Sequence, residues 1–330
     1  MKITYFFRPK MDGVFSIETV FQQLFQFLPK EIEKKEYLCS HKWKRYDSFV
    51  KARKFQGEIN HITGDIHTIA LFLKGKRTIL TVHDIGRYER NLSGIRKIII
   101  KYLWLQWPLK KVAYITTISE FTKQKLITTC KIDAKKVLVI PNPASSDFKP
   151  FYKEFNNKQP LVLQIGGSSV KNLLRLIEAV KGTSFKLLLL RKPTADLRKD
   201  LDEANIVYEF RYNLTREEVY KCYCDCDIVF FASLHEGFGV PILEAQQIGK
   251  PIITSNIAPM NDVAGDGALL VDPTNVNEIK KALQKLKTET VFRNELIKNG
   301  SYNLERFSVK TVTEKYVSLY KKLNKELEKL

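Results

Sequence analysis

Residues 228–248 read IVFFASLHEGFGVPILEAQQI, and their order decides the fold. Ile228–Ala232 is a short, unbroken apolar run, the length of a buried strand rather than of a helix. Ser233, Leu234, His235 and Glu236 follow, then the turn Gly237–Phe238–Gly239. Helix-forming sequence begins around Pro241, a residue suited to a first helical turn. A glycine-containing turn that opens a helix presents free backbone N–H groups at the positive end of the helix dipole, and such a turn binds phosphate. Glu236 falls at the strand end and Glu244 about one turn inside the helix. Two carboxylates do not favour bare phosphate; they suit hydroxyl groups. Anion-binding amides flanked by hydroxyl-binding carboxylates match a sugar joined to a nucleoside diphosphate.

The same strand-then-helix alternation runs outward in both directions, which predicts parallel sheets with crossover helices. Toward the N-terminus the expected strands are Ile3–Phe7, Ile59–Ile62, Thr78–Val82, Tyr114–Ile118 and Val137–Ile140. A helix is expected over Phe15–Leu28, with Ile17, Val20, Phe21, Leu24, Phe25 and Leu28 on one face. The stretch PNPASSDFKPFYKEFNNKQP, rich in Pro, Asn, Ser and Lys, is the linker candidate. Beyond it the strands Leu161–Ile165, Phe185–Leu190, Ile206–Phe210 and Pro251–Thr254 join Ile228–Ala232, and Ala268–Val271 adds an edge. At 330 residues the chain exceeds one comfortable core. The expectation is therefore α/β with two Rossmann-like doubly wound parallel-sheet domains, 1–150 and 151–307, facing a central cleft. The closing helix from Ser308 to residue 330 packs on the second domain or crosses back onto the first; periodicity does not choose.

Net charge is +19, of which residues 1–150 carry +15 and residues 151–330 carry +4. A basic first half implies a polyanionic partner, a phosphorylated acceptor or an anionic membrane surface, or else a solvated lysine-rich face. Nucleic acid is not expected, because no recognition helix, zinc finger or aromatic RNA-binding motif accompanies the charge. The segment Ile95–Leu109, IRKIIIKYLWLQWPL, sets Arg96, Lys97 and Lys101 beside Trp104 and Trp107. Those residues suit a membrane interface and equally a helix packed on the first sheet. No apolar run reaches the roughly 18 residues of a membrane span. The N-terminal MKITYFFRPK is too short and too early for a signal peptide. The expected location is the cytoplasm, with peripheral attachment to the inner face of the cytoplasmic membrane if the basic half meets lipid. An odd count of five cysteines fits reduced thiols. Their CxCxC run at 222–226 lacks zinc spacing and a partner pair. Asp225–Cys226–Asp227 reads as DxD, but it lies between a helix and a buried strand, where a metal pair has no exposed strand end. No metal or cofactor is expected.

The string HEGFGVPILE is similar to the E-x7-E motif of the retaining glycosyltransferases of family 4, which have the GT-B fold. DIVFFASLHEGFGVPILEAQQIGKPIITSN, VAGDGALLVDPTN, LVLQIGG with KNLLRLIEAV, and AYITTISEFTKQKL with VLVIPNP extend the resemblance over most of the chain. TVHD at 81–84 resembles the family's strand-end histidine. The resemblance implies a metal-independent, retaining transfer of a hexose-type sugar from a nucleoside diphosphate donor. The acceptor would be a hydroxyl of a glycan or of a polyprenyl-diphosphate-linked molecule, in cell-surface polysaccharide or glycolipid synthesis. Glu236 would lie beside the transferred sugar and Glu244 on the ribose. Gly237, Phe238 and Gly239 would offer amides, and Lys171 would neutralise the leaving diphosphate. Gly13, in a glycine turn after the first strand, would face the diphosphate, and His83 would bond the donor sugar. Many members carry an arginine near Gly167; here Gly167, Ser168 and Ser169 stand instead, and Arg191 is the candidate to compensate. A GT-B phosphorylase, a sugar-nucleotide epimerase and a non-catalytic glycosyltransferase-like subunit fit the same cradle.

Overall fold

The structure is a computed structural model that describes residues 1–9, 16–40, 44–86, 88 and 94–329. The chain divides into two compact units, Met1–Pro143 with Val309–Leu330, and Ala144–Ser308. The join falls at 143/144, where the sequence reading put it at 150/151. Each unit holds one six-stranded parallel sheet. The chain has the two-domain α/β GT-B fold.

The first sheet has the order β2-β1-β3-β4-β5-β6. Its strands are β1 (Lys2–Phe7), β2 (Glu33–Leu38), β3 (Ile59–Ile62), β4 (Thr78–Val82), β5 (Tyr114–Thr117) and β6 (Val137–Val139). Alternation along β1 sends Ile3, Tyr5 and Phe7 to one face and Phe6 to the other, and each face has its own apolar cluster. On the first face lie Phe21 and Leu24 of the Ser16–Phe25 helix together with Val312, Tyr316 and Tyr320 of the Val309–Leu327 helix. On the second lie Leu105, Leu109 and Leu126. Helices on both faces make the sheet doubly wound. The Val309–Leu327 helix belongs to this unit: Tyr114 OH donates to Glu326 Oε1 at 2.6 Å, and Tyr320 OH meets His61 Nδ1 at 2.7 Å.

The second sheet has the order β12-β11-β10-β7-β8-β9. Its strands are β7 (Leu161–Ile165), β8 (Lys186–Leu190), β9 (Tyr208–Phe210), β10 (Ile228–Phe231), β11 (Ile252–Ser255) and β12 (Leu269–Val271). This is the dinucleotide-binding order, and its direction of winding reverses between β7 and β10, where ligands of such sheets sit beyond the carboxyl ends of the strands.

β2 was absent from the sequence reading. It is an edge strand, mostly exposed, with the sequence EKKEYL. Charge on an edge blunts its pairing with other chains, and that charge hides the strand from an apolar count.

Candidate active site

Two loops leave the point where the second sheet reverses. The loop after β7 carries Gly166 to Lys171, and the loop after β10 carries Ala232 to Gly239. They are joined by a backbone bond from Leu234 N to Val170 O at 2.8 Å. Asn172, in the left-handed region at φ 62°, donates from Nδ2 to Ala232 O at 3.0 Å and to Pro273 O at 2.6 Å. Asn tolerates that backbone region, and its side chain pins the lysine loop to the strand end. The sequence reading missed this role; an Asn just before a helix was the available signal.

Gly166 has φ +93°, and a methyl group added there would approach Lys171 Cγ to 2.9 Å. The lysine stem therefore lies along a backbone that only glycine provides. Its ammonium donates to Glu236 Oε1 and lies 4.7 Å from the centre of the Phe231 ring. The two side chains are 21% and 17% exposed, so a ligand can reach them in a largely desolvated setting. Lys171 and Glu236, far apart in sequence, thus meet at the reversal point.

Gly239, at φ +114°, caps the Val240–Ile248 helix, and Pro241 sits in its first turn. In that turn Pro241 has no N–H and Ile242 N donates to Gly239 O at 2.9 Å, so the amide left without an acceptor in the helix is that of its first residue, Val240. Gly237 is half-buried in the bend before it. Phe238 is buried against Phe307, ring centres 5.9 Å apart, so its side chain anchors the turn.

Glu244 differs from Glu236. It is buried, and both its oxygens have protein partners: Arg216 Nη1 donates to Oε1 and Tyr223 OH to Oε2, each at 2.6 Å. Burial, then the charge of Glu244, holds the Tyr223 phenol well above its usual range, so it remains a donor. Arg216 also lies 4.0 Å over the Phe148 ring. Neither partner was singled out from sequence. The signal was a carboxylate set among Ile242, Leu243 and Ala245, which demands buried donors.

In the first unit, His83 follows β4. Its Nε2 donates to Thr63 O at 2.8 Å, which leaves Nδ1 as the acceptor of the neutral ring. Burial lowers its pKa from the ordinary value, and the ring is neutral at pH 7. Gly64 at φ +143° makes room for it: a methyl there would come within 2.6 Å of His83 Cδ2. Gly13 lies outside the described residues.

Two family models match the chain: "Glycosyl transferases group 1" over residues 145–302 and "Glycosyltransferase Family 4" over residues 51–148. The chain belongs to glycosyltransferase family 4. It is 26% identical over 234 residues to the O-antigen chain mannosyltransferase RfbU of Salmonella typhimurium, an alignment covering 67% of this chain and 63% of that protein. It is 24% identical over 272 residues to O-antigen chain mannosyltransferase B of Escherichia coli, covering 75% and 71%. Among solved structures, Anabaena HepE in complex with UDP and glucose matches with a TM-score of 0.77 at 14% identity, covering 98% of this chain and all of that one.

Three further features of the chain were read from its sequence. The aspartates of the DxD string have separate structural partners. Asp227 accepts from Lys153 Nζ at 2.9 Å and Leu161 N at 2.8 Å and so fastens the segment before β7, while Asp225 accepts from Arg211 Nη1 at 3.0 Å. Cys222, Cys224 and Cys226 are buried free thiols. The segment over 95–109 has two faces. Leu105 and Leu109 are buried, and Trp104 stacks on His67 at 4.3 Å. Ile95, Ile98, Ile99, Tyr102, Leu103 and Trp107 are exposed.

Proposed function

We propose that this family 4 chain transfers a hexose from a nucleoside diphosphate sugar to a hydroxyl of a glycan or polyprenyl-diphosphate-linked acceptor, in polysaccharide or glycolipid synthesis. The observation that carries this reading is the Lys171–Glu236 pair over the opening of the Val240–Ile248 helix. In the proposed site the lysine and the helix amides take the diphosphate, and no metal is needed. Glu236 takes sugar hydroxyls, and Glu244, through its remaining lone pairs, takes ribose hydroxyls. His83 Nδ1, in the first unit, is the acceptor offered there to a substrate hydroxyl. The mannosyltransferase names of the two relatives support mannose as the hexose.

The transfer retains configuration. The acceptor oxygen bonds to the anomeric carbon on the face from which the diphosphate departs, and its proton passes to a phosphate oxygen of the leaving group. Lys171 and the amides stabilise the charge that develops there. The first unit takes the acceptor.

The exposed apolar residues of 95–107, flanked by Arg96, Lys97, Lys101 and Lys110, support peripheral attachment to an anionic membrane on its cytoplasmic face.

A thermal-shift screen against UDP-, GDP-, ADP- and CMP-sugars tests the donor reading, since a ligand of the folded state raises the melting temperature. A UDP-, GDP- or ADP-sugar raises it, and release of nucleoside diphosphate then requires an acceptor; a shift with a CMP-sugar alone, which carries no diphosphate, overturns the reading. No shift with any of the four overturns the reading. Release without an acceptor overturns the transferase in favour of a hydrolytic, phosphorolytic or isomerising enzyme.

A further inference from the structure

The carboxyl ends of β10, β7 and β8, three neighbouring strands, hold more unmet polar chemistry than Lys171 and Glu236 account for. Five buried side-chain polar atoms lack a hydrogen-bond partner among the described residues. Three of them sit at these strand ends: Gln164 Oε1 near the end of β7, Arg191 Nε directly after β8, and Ser233 Oγ after β10. Buried polar groups in native proteins are paired, so unpaired ones gathered in one place call for a ligand.

Arg191 is the charged member. Its side chain runs across Gly167: a methyl group on that glycine would lie 3.7 Å from both Nε and Cζ of the guanidinium. The preceding glycine, Gly166, is covered by the Lys171 stem. Two cationic side chains therefore lie over two consecutive glycines. Lys171 has Glu236 as its counter-charge, whereas the buried Arg191 Nε–H has no acceptor. A buried guanidinium donor costs free energy unless it is met by an acceptor, and a guanidinium fork matches phosphate oxygens better than any other side chain.

We propose that Arg191 binds the diphosphate of the donor, so that the anion is held by a lysine from the loop after β7 and an arginine from the end of β8. This assignment rests on the donor reading above.

The test is isothermal titration of the full chain with UDP, GDP and ADP and with the corresponding monophosphates. Arg191→Gln keeps an N–H donor at the Nε position but removes the guanidinium fork and its charge. It is expected to weaken the nucleoside diphosphate that the wild type prefers by about 10- to 100-fold, the range of a charged hydrogen bond, and the matching monophosphate much less. A double variant, Gly167→Arg with Arg191→Gly, brings the guanidinium to the same place from the other backbone and is expected to regain most of the loss; it also keeps the test open if Arg191→Gln folds poorly. Unchanged diphosphate binding in Arg191→Gln overturns the assignment, as does an equal loss for mono- and diphosphate. Wild-type chain that binds none of the three diphosphates overturns the donor reading itself, and the assignment with it.

Discussion

Lys171 and Glu236 are 65 residues apart in sequence and bonded side chain to side chain where β7 and β10 end. Each group holds the other in place without any ligand. A donor that inserts its diphosphate beside Lys171 and its sugar beside Glu236 exchanges that contact for two better-matched ones. Glu236→Ala should therefore lower transfer by two to three orders of magnitude, the range for losing one preorganised electrostatic contact. Its melting temperature should stay near that of the wild type. Radiolabelled-sugar incorporation, measured beside a thermal melt, checks both halves; substantial activity in the variant rejects the role.

Glu244 behaves differently because its oxygens already serve Tyr223 and Arg216. Glu244→Ala leaves the fully buried Tyr223 hydroxyl without its acceptor, at a cost of about 1–3 kcal/mol. The variant should melt at lower temperature even without donor. Equal melting temperatures for the Glu236 and Glu244 variants would contradict this division between the two glutamates.

The first unit should be acid-sensitive. Burial drives His61 down to about 3 and His67 down to about 4, from an ordinary 6.5. As pH falls below 6.5 the unfolded chain binds these protons and the folded chain does not, so stability is whole above 6.5 and declines below it. The slope is about 1.4 kcal/mol per pH unit for each histidine, and it ends once the folded-state values are passed. Trp104 and Trp107 lie in this unit, Trp43 falls within its span of sequence, and the second unit's span holds no tryptophan. Urea melts followed by tryptophan fluorescence at pH 7.5 and 5.5 thus report it directly. His61→Gln should flatten the dependence; a stability independent of pH over that range refutes the argument.

Membrane attachment predicts co-sedimentation with phosphatidylglycerol vesicles, weaker binding to phosphatidylcholine alone, and loss in high salt as charge is screened. Ile98→Asp with Trp107→Ser should reduce binding at least tenfold while leaving the melt unchanged, since both side chains are exposed. Wild type that stays in the supernatant with anionic vesicles ends the proposal.

The legible parts of this chain were those where one physical requirement dominates. Buried parallel strands such as Leu161–Ile165 and Ile228–Phe231 are apolar on both faces, so their residues announce them. The glycine turn at 237–239 announced itself because a helix start after a strand has few other uses for that composition. Edge strand β2 did not, because water rather than core sets its composition. The segment 95–109 was ambiguous for a sound reason: it has a packed face and an exposed one, and its apolar residues serve both. Pairs joined across distant loops, such as Asn172 with Pro273 or Arg216 with Glu244, leave no local pattern. The contact of Arg191 with Gly167 is of that kind: a missing arginine was visible in sequence, while the place of another beside the gap required coordinates.

The Val309–Leu327 helix closes the first unit's core from the far end of the chain. During synthesis the second unit, one continuous stretch from Ala144 to Ser308, is complete before that helix has been made. Domains usually mature in the order in which they are translated. Here that order is reversed for the final step: the part begun first finishes last, with one apolar face of its sheet covered only in part, by the Ser16–Phe25 helix, until the ribosome has delivered Tyr316, Tyr320 and Leu323. A chain cut short after residue 308 keeps a sound second unit and an open first one.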